Sequence, residues 1–189
     1  MDRRVAALLA CLLPAACADG SQPFVADTAQ LPAGTFGGGF ADADVRAVQQ
    51  AQWAFADPGR TQGRPIEAIR AAASMDYIAG QLYTSPRWAH IGALTKEQLL
   101  QGRVEVRQAL GVVPGTSSQA VVERLTSAGN ALAAGDAAAA VAQLGAPVFQ
   151  GSGQQVLARL SDMPYLRMAN VSTMNAAGQL FDNSRRRAF

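Results

Sequence analysis

From Ala41 onward, apolar residues recur at helical spacing, and no stretch keeps the two-residue alternation of a strand. Asp42 or Asp44 can cap a first helix running to about Phe55, and Asp57-Pro58-Gly59 ends it with turn chemistry. Pro65 suits the first turn of a second helix through Leu82, and Ser85-Pro86 can start a short third. Thr95 with Gln98 forms a capping-box-like pair before a fourth helix to Leu110, stopped by Gly111 and Pro114. Thr116 with Gln119 repeats the device ahead of a fifth, whose stripe is Val121, Leu125, Ala128 and Leu132. Gly135 can take a left-handed cap, and Asp136 can cap the alanine helix that follows. Beyond Pro147 and Gly151-Ser152-Gly153 come a short helix near Gln154 to Leu160 and a last one from Pro164 to Phe181. The expected fold is all-α: a single compact bundle of about six to eight helices behind a flexible N-terminal tether.

Ahead of that domain, residues 18–41 are rich in Gly, Ala, Pro and small polar residues and lack periodicity, which reads as the tether. No unit recurs at a fixed period, so a repeat solenoid is not expected. The order along the chain is an export signal at 1–16, a tether at 17–41, a helical domain at 42–184 and a basic tail at 185–189.

The first residues carry a pattern of a different kind. Arg3 and Arg4 give a charged start, Val5 to Leu13 is an apolar run too short to span a bilayer, and Pro14 breaks it before small residues. The stretch Leu13-Pro14-Ala15-Ala16-Cys17 resembles the lipobox of bacterial lipoprotein precursors, although Pro14 stands where that pattern prefers leucine. The resemblance covers the leader alone. It implies that Cys17 becomes a lipidated first residue and that the chain sits in the bacterial envelope, anchored to a membrane. The residue immediately after the cysteine is Ala18, not an acidic one, which resembles lipoproteins sent on to the outer membrane and weakly favours that location. The competing expectation is cleavage after Ala18, at the small-x-small site Ala16-Cys17-Ala18, releasing a soluble periplasmic protein. Cys11 and Cys17 are the two cysteines, so the folded part has no pair for a disulfide or a thiolate metal site.

Charge narrows the partners. With Asp2, Arg3 and Arg4 removed along with the leader, fourteen basic and thirteen acidic side chains remain. That balance gives no basic face for nucleic acid; Arg185, Arg186 and Arg187 read as a solvated end. Expected partners are a membrane, through the lipid, and an envelope protein.

Four residues stand out as candidate ligand or partner contacts: Trp53, Asp76, Tyr77 and Trp88. At about 100° per residue, the second helix gathers Glu67, Arg70, Ser74 and Gln81 on a polar arc and leaves Asp76 on a side it should bury. A buried carboxylate needs a partner. An ion pair with an arginine such as Arg46 or Arg87 is the expectation preferred over a perturbed acid near Tyr77, Tyr83 or Trp88. Trp53 projects among Arg46, Gln49 and Gln50, where an ordinary contact with the third helix or the tether is the expectation preferred over a partner hot spot or a membrane-interface anchor. His90, the single histidine, reads as a partly buried packing residue. On the last helix Asn170, Ser172, Thr173 and Asn175 read as the wet side, with Met168, Val171, Met174 and Leu180 beneath.

One His and one Lys leave few nucleophile-plus-base designs, and no phosphate loop, HExxH, nucleophile elbow or dinucleotide fingerprint occurs. No catalytic residue, metal ligand or cofactor is assigned. The expected function is that of an envelope lipoprotein whose non-enzymatic domain works through protein contacts. A soluble periplasmic binder of a small molecule or lipid is the alternative, and a carboxylate-dependent wall hydrolase comes last.

Overall fold

A computed structural model describes residues 27–32, Thr35 and 42–186. Among them are seven α-helices: α1 Ala43–Phe55, α2 Pro65–Thr84, α3 Ala93–Leu110, α4 Ser118–Ala133, α5 Ala137–Gln143, α6 Gly153–Ser161 and α7 Arg167–Arg186. Short 3-10 turns at Pro58–Arg60 and Pro86–Trp88 flank α2. No named strand is present among these residues, and the all-α expectation holds.

The caps explain most of the boundaries. Asp42 accepts from Asp44 N at 3.0 Å and opens α1, and Pro65 occupies the first turn of α2. Asp136 receives Ala139 N at 2.8 Å, which is why an alanine-rich stretch of seven residues starts as a helix there. Ser152 and Gln155 form a reciprocal capping box on α6. Two expected boxes do not form. The α3 N-cap is Gly92, while Thr95 lies buried and its hydroxyl accepts from Gln179. The α4 N-cap is Ser117, while the Thr116 hydroxyl donates back to Val113 O. The last helix starts at Arg167, later than Pro164, and runs to Arg186 into the expected tail.

Helix α2 is the axis of the molecule. It packs on α1, α3 and α4, and α7 closes a four-helix ring by packing on both α1 and α3. The α4–α5 hairpin lies outside that ring against α2, with α6 bridging α5 and α2. Thirteen of the twenty residues of α2 are buried, among them Ala68, Ala71, Ala72, Ala73, Ala79 and Gly80. Small side chains on every face let three helices approach it at once, the pattern of a helix wrapped by its neighbours. Ile69, Met75, Ile78 and Leu82 carry its apolar volume into a core shared with Leu99, Leu125, Leu144, Phe149 and Leu160.

Two connecting loops are stitched together beneath α3. Gly111, at φ 72°, ends α3 in the left-handed conformation and turns the chain so that Val112 and Phe149 bridge. Arg159 donates to Leu110 O at 3.0 Å and Gln150 O at 3.2 Å, tying α6 to the same corner.

Most of the expected tether lies outside the described residues, as do the leader and Cys17. The part that is described, Asp27–Pro32, is bound to the domain. Ala29 is buried and Leu31 packs against the core. Gly80 makes room for it: a Cβ there would overlap the Asp27 carbonyl oxygen.

Candidate functional site

The first cluster grows from three helices and the N-terminal segment. On α2, Asp76 faces away from the polar arc and is 1% exposed. On α3, Arg103 and Arg107 sit four apart and so share one side of the helix, where both reach toward Asp76 and the start of α4. Arg107 Nε lies 3.1 and 3.0 Å from the two Asp76 oxygens, and its Nη2 lies 2.5 Å from Oδ1. The same guanidinium donates to Thr116 O at 2.9 Å and to Ser118 Oγ at 2.8 Å. Arg103 Nη1 donates to Ser118 Oγ at 3.0 Å and to Asp27 O at 2.8 Å. The Asp27 carboxylate in turn accepts from Ser118 N at 2.5 Å, at the positive end of α4, and stands 3.7 Å from Arg107.

Two carboxylates and two guanidiniums thus meet in one place. Burial raises the Asp76 carboxyl above its ordinary pKa, with Arg107, Ser118 and Arg103 pulling it back in part. Desolvation also works against the Arg107 charge, but Asp76 and Asp27 outweigh it and the guanidinium is held more firmly protonated. Arg103 is lowered, chiefly by burial. Since guanidinium does not give up its proton in proteins, the physical state is a charged pair in which both Asp76 oxygens are engaged. The expected arginine partner of Asp76 is therefore present, but it is Arg107 on α3. Arg46 and Arg87 do not fill that role, because they belong to α1 and the Pro86–Trp88 turn, on other sides of α2.

The second cluster joins Tyr77 and Trp88 through a residue expected only as a possible cap. Asp44 is 5% exposed; the Tyr77 hydroxyl donates to its Oδ1 and Trp88 Nε1 donates to Oδ2 at 2.6 Å. Burial and the Asp44 hydrogen bond and charge push the Tyr77 hydroxyl well above its ordinary pKa. Arg87 pairs closely with Asp42, lies 3.7 Å from Asp44, and spreads over the Trp88 ring at 4.5 Å. The His90 ring lies 5.7 Å from the Trp88 ring, tilted by 56° to it, and His90 is exposed, not partly buried, because it lies just past the Pro86–Trp88 turn.

Of the four residues singled out, Tyr77 and Trp88 come together, while Asp76 and Trp53 stand apart from them and from each other. Consecutive residues on a helix diverge by about 100°, so Tyr77 meets α1 while Asp76 meets α3. Trp53 is 36% exposed, with Arg60 over its ring at 5.6 Å and donating to its carbonyl at 2.6 Å. Its company is the Pro58–Arg60 turn.

Asp27, Asp44, Arg103, Arg107 and Ser118 were missed. For the arginines a signal existed: the pair lies among Leu99, Leu100, Val106 and Leu110, on a face that had to be buried and hence matched to an acid. Among the described residues no three His, Cys, Asp or Glu side chains stand together as metal ligands, and no helix is long and apolar enough to cross a membrane. No known family, curated protein or solved structure matches the chain.

Proposed function

We propose that the chain is the precursor of a bacterial envelope lipoprotein, held by a lipid on Cys17, whose helical domain is non-enzymatic and acts through contacts with another envelope protein. The observation that carries this reading is the ordered leader ending in Leu13-Pro14-Ala15-Ala16-Cys17. The geometry supports the non-enzymatic part of this reading, since the deeply buried carboxylates Asp76 and Asp44 are engaged by Arg107, Tyr77 and Trp88. A carboxylate so engaged holds helices together and has no oxygen turned to a substrate.

Fractionation tests it. Expressed with its own leader in a bacterial host, the chain is expected in the membrane fraction and to move to the soluble periplasm on Cys17→Ser. The same soluble location for both forms would overturn the anchor. The alternative, a soluble binder of a small molecule or lipid, has one observation of its own: an open groove of about 550 Å³ lined by Arg64, Pro65, Ile66, Glu67, Arg70 and Leu132. Soluble fractionation with a copurifying ligand that Arg70→Glu releases would favour it.

A further inference from the structure

The segment Asp27–Leu31 is held in the way proteins hold a peptide. Gln119 on α4 reads its backbone: the side-chain oxygen accepts from Gln30 N at 2.7 Å, and Nε2 lies 3.4 Å from Gln30 O. Those bonds imitate a neighbouring strand and are indifferent to the side chain they pass. Arg103 takes the Asp27 carbonyl, while Ser118 N and Arg107 take its carboxylate. Between these grips Ala29 is buried, Thr28 and Gln30 point to solvent, and Leu31 is half-buried against the core. The groove floor is Gly80, where any side chain would collide with the segment's backbone. The pattern recognised is acidic, any, small, any, aliphatic.

Charge shows what the groove wants. With the segment in place, Asp27 and Asp76 balance Arg103 and Arg107. With it gone, Arg103 and Arg107 face the one carboxylate of Asp76 beside the positive end of α4. The vacated groove then has a net positive charge and unpaired donors on Arg103, Arg107 and Ser118 N, so it attracts a carboxylate. The segment itself is lightly held, because one buried alanine, a half-buried leucine and a few polar bonds must offset the ordering of about six residues. It is also the stretch nearest to Cys17, ten residues upstream.

We propose that this groove is a recognition site for an extended acidic segment of a protein partner, and that Asp27–Leu31 occupies it in cis as a releasable latch. This deepens the reading of the domain as a contact module and does not depend on lipidation of Cys17. A tethered segment competes at an effective concentration of order millimolar, so a partner segment must either exceed that or arrive when the latch is drawn out. The site thus gives the domain a closed and an open state with different partners.

The test uses the exported chain with Cys17→Ser and a labelled synthetic peptide of residues 25–33, with Ala29→Arg in the chain to evict the latch without touching the groove. The evicted form is expected to bind the peptide at least tenfold more tightly than the parent, and a peptide carrying Asp27→Asn at least tenfold more weakly than the unaltered peptide. Equal affinity for the two forms of the chain, or for the two peptides, would overturn the proposal. Hydrogen exchange on the parent needs no variant. The Ser118 amide is expected to exchange through a local opening at least a hundredfold faster than amides in the middle of α2; equal protection means that the segment does not release. A shift of the evicted form to a dimer that the peptide dissolves would count for the groove, with a second copy's segment as the occupant.

Discussion

Asp76 owes its position to α2 and its charge state to α3. Removing one member of a buried pair leaves the other without compensation, so Asp76→Ala is expected to cost about 3–5 kcal/mol, read from the urea midpoint at constant slope. Replacing both members, Asp76→Leu with Arg107→Met, is expected to recover most of that loss, because no orphaned charge remains. A double variant as weak as the single one would contradict this view of the cluster. Tyr77 offers a test by pH. Its hydroxyl is raised in the fold, so its hydrogen bond to Asp44 contributes in full below its ordinary value of 10.0 and is lost as the pH climbs above that. Melting temperatures between pH 8 and about 11 are expected to fall more steeply for the parent than for Tyr77→Phe, and parallel curves would refute it. At this scale the sequence was partly legible. The helical period alone showed that Asp76 had to be buried and paired. It could not say with which arginine, since that depends on which helix lands on which side of α2. Asp44 was hidden for a related reason: two aspartates near a helix start look alike until one is seen to cap and the other to turn inward.

Elements were easier to find than their faces. Helical spacing, Pro65, Gly135 and Asp136 marked boundaries because these residues act through local chemistry. Helix α7 shows where that stops. Its Ser172 and Thr173 are fully buried and Met174 is 52% exposed, the reverse of the expected wet side. The hydroxyls satisfy themselves on Ala169 O at 3.3 and 2.7 Å, which makes them small neutral packing surfaces. Opposite them is Gly102 of α3, where a Cβ would meet Ser172 Oγ at 2.8 Å, Met75 Cε at 2.9 Å and Ala169 Cα at 3.1 Å. This crossing is set by the absence of side chains. Gly102→Ala is therefore expected to destabilise by about 1–3 kcal/mol through overpacking, against the roughly 1 kcal/mol by which alanine ordinarily improves a helix interior. A higher melting temperature for the variant would show that α3 and α7 are less tightly joined.

The molecule as a whole is a four-helix ring of α1, α2, α3 and α7, with the α4–α5 hairpin and α6 laid along α2. If Cys17 carries the proposed lipid, docking of Asp27–Pro32 sets how far this body can stand from it. Asp27 lies ten positions after Cys17, and at full extension those ten steps reach at most about 35 Å. With the segment released, the tether lengthens to the start of α1 at Ala43, more than doubling its residues. Latch and anchor would then act together, with the domain held near the membrane when closed and given longer reach when open. The composition of residues 18–41 suggested a tether throughout, and nothing in Asp27-Thr28-Ala29-Gln30-Leu31 distinguishes a segment that binds from one that does not. Recognition lay in Gly80, Arg103, Arg107, Ser118 and Gln119, residues scattered over three helices.

The central claim concerns the anchor, and intact mass of the mature chain tests it most directly. A chain beginning at Cys17 and carrying a diacyl or triacyl increment, lost in Cys17→Ser, is the predicted result. An unmodified chain beginning at Asp19 would contradict it.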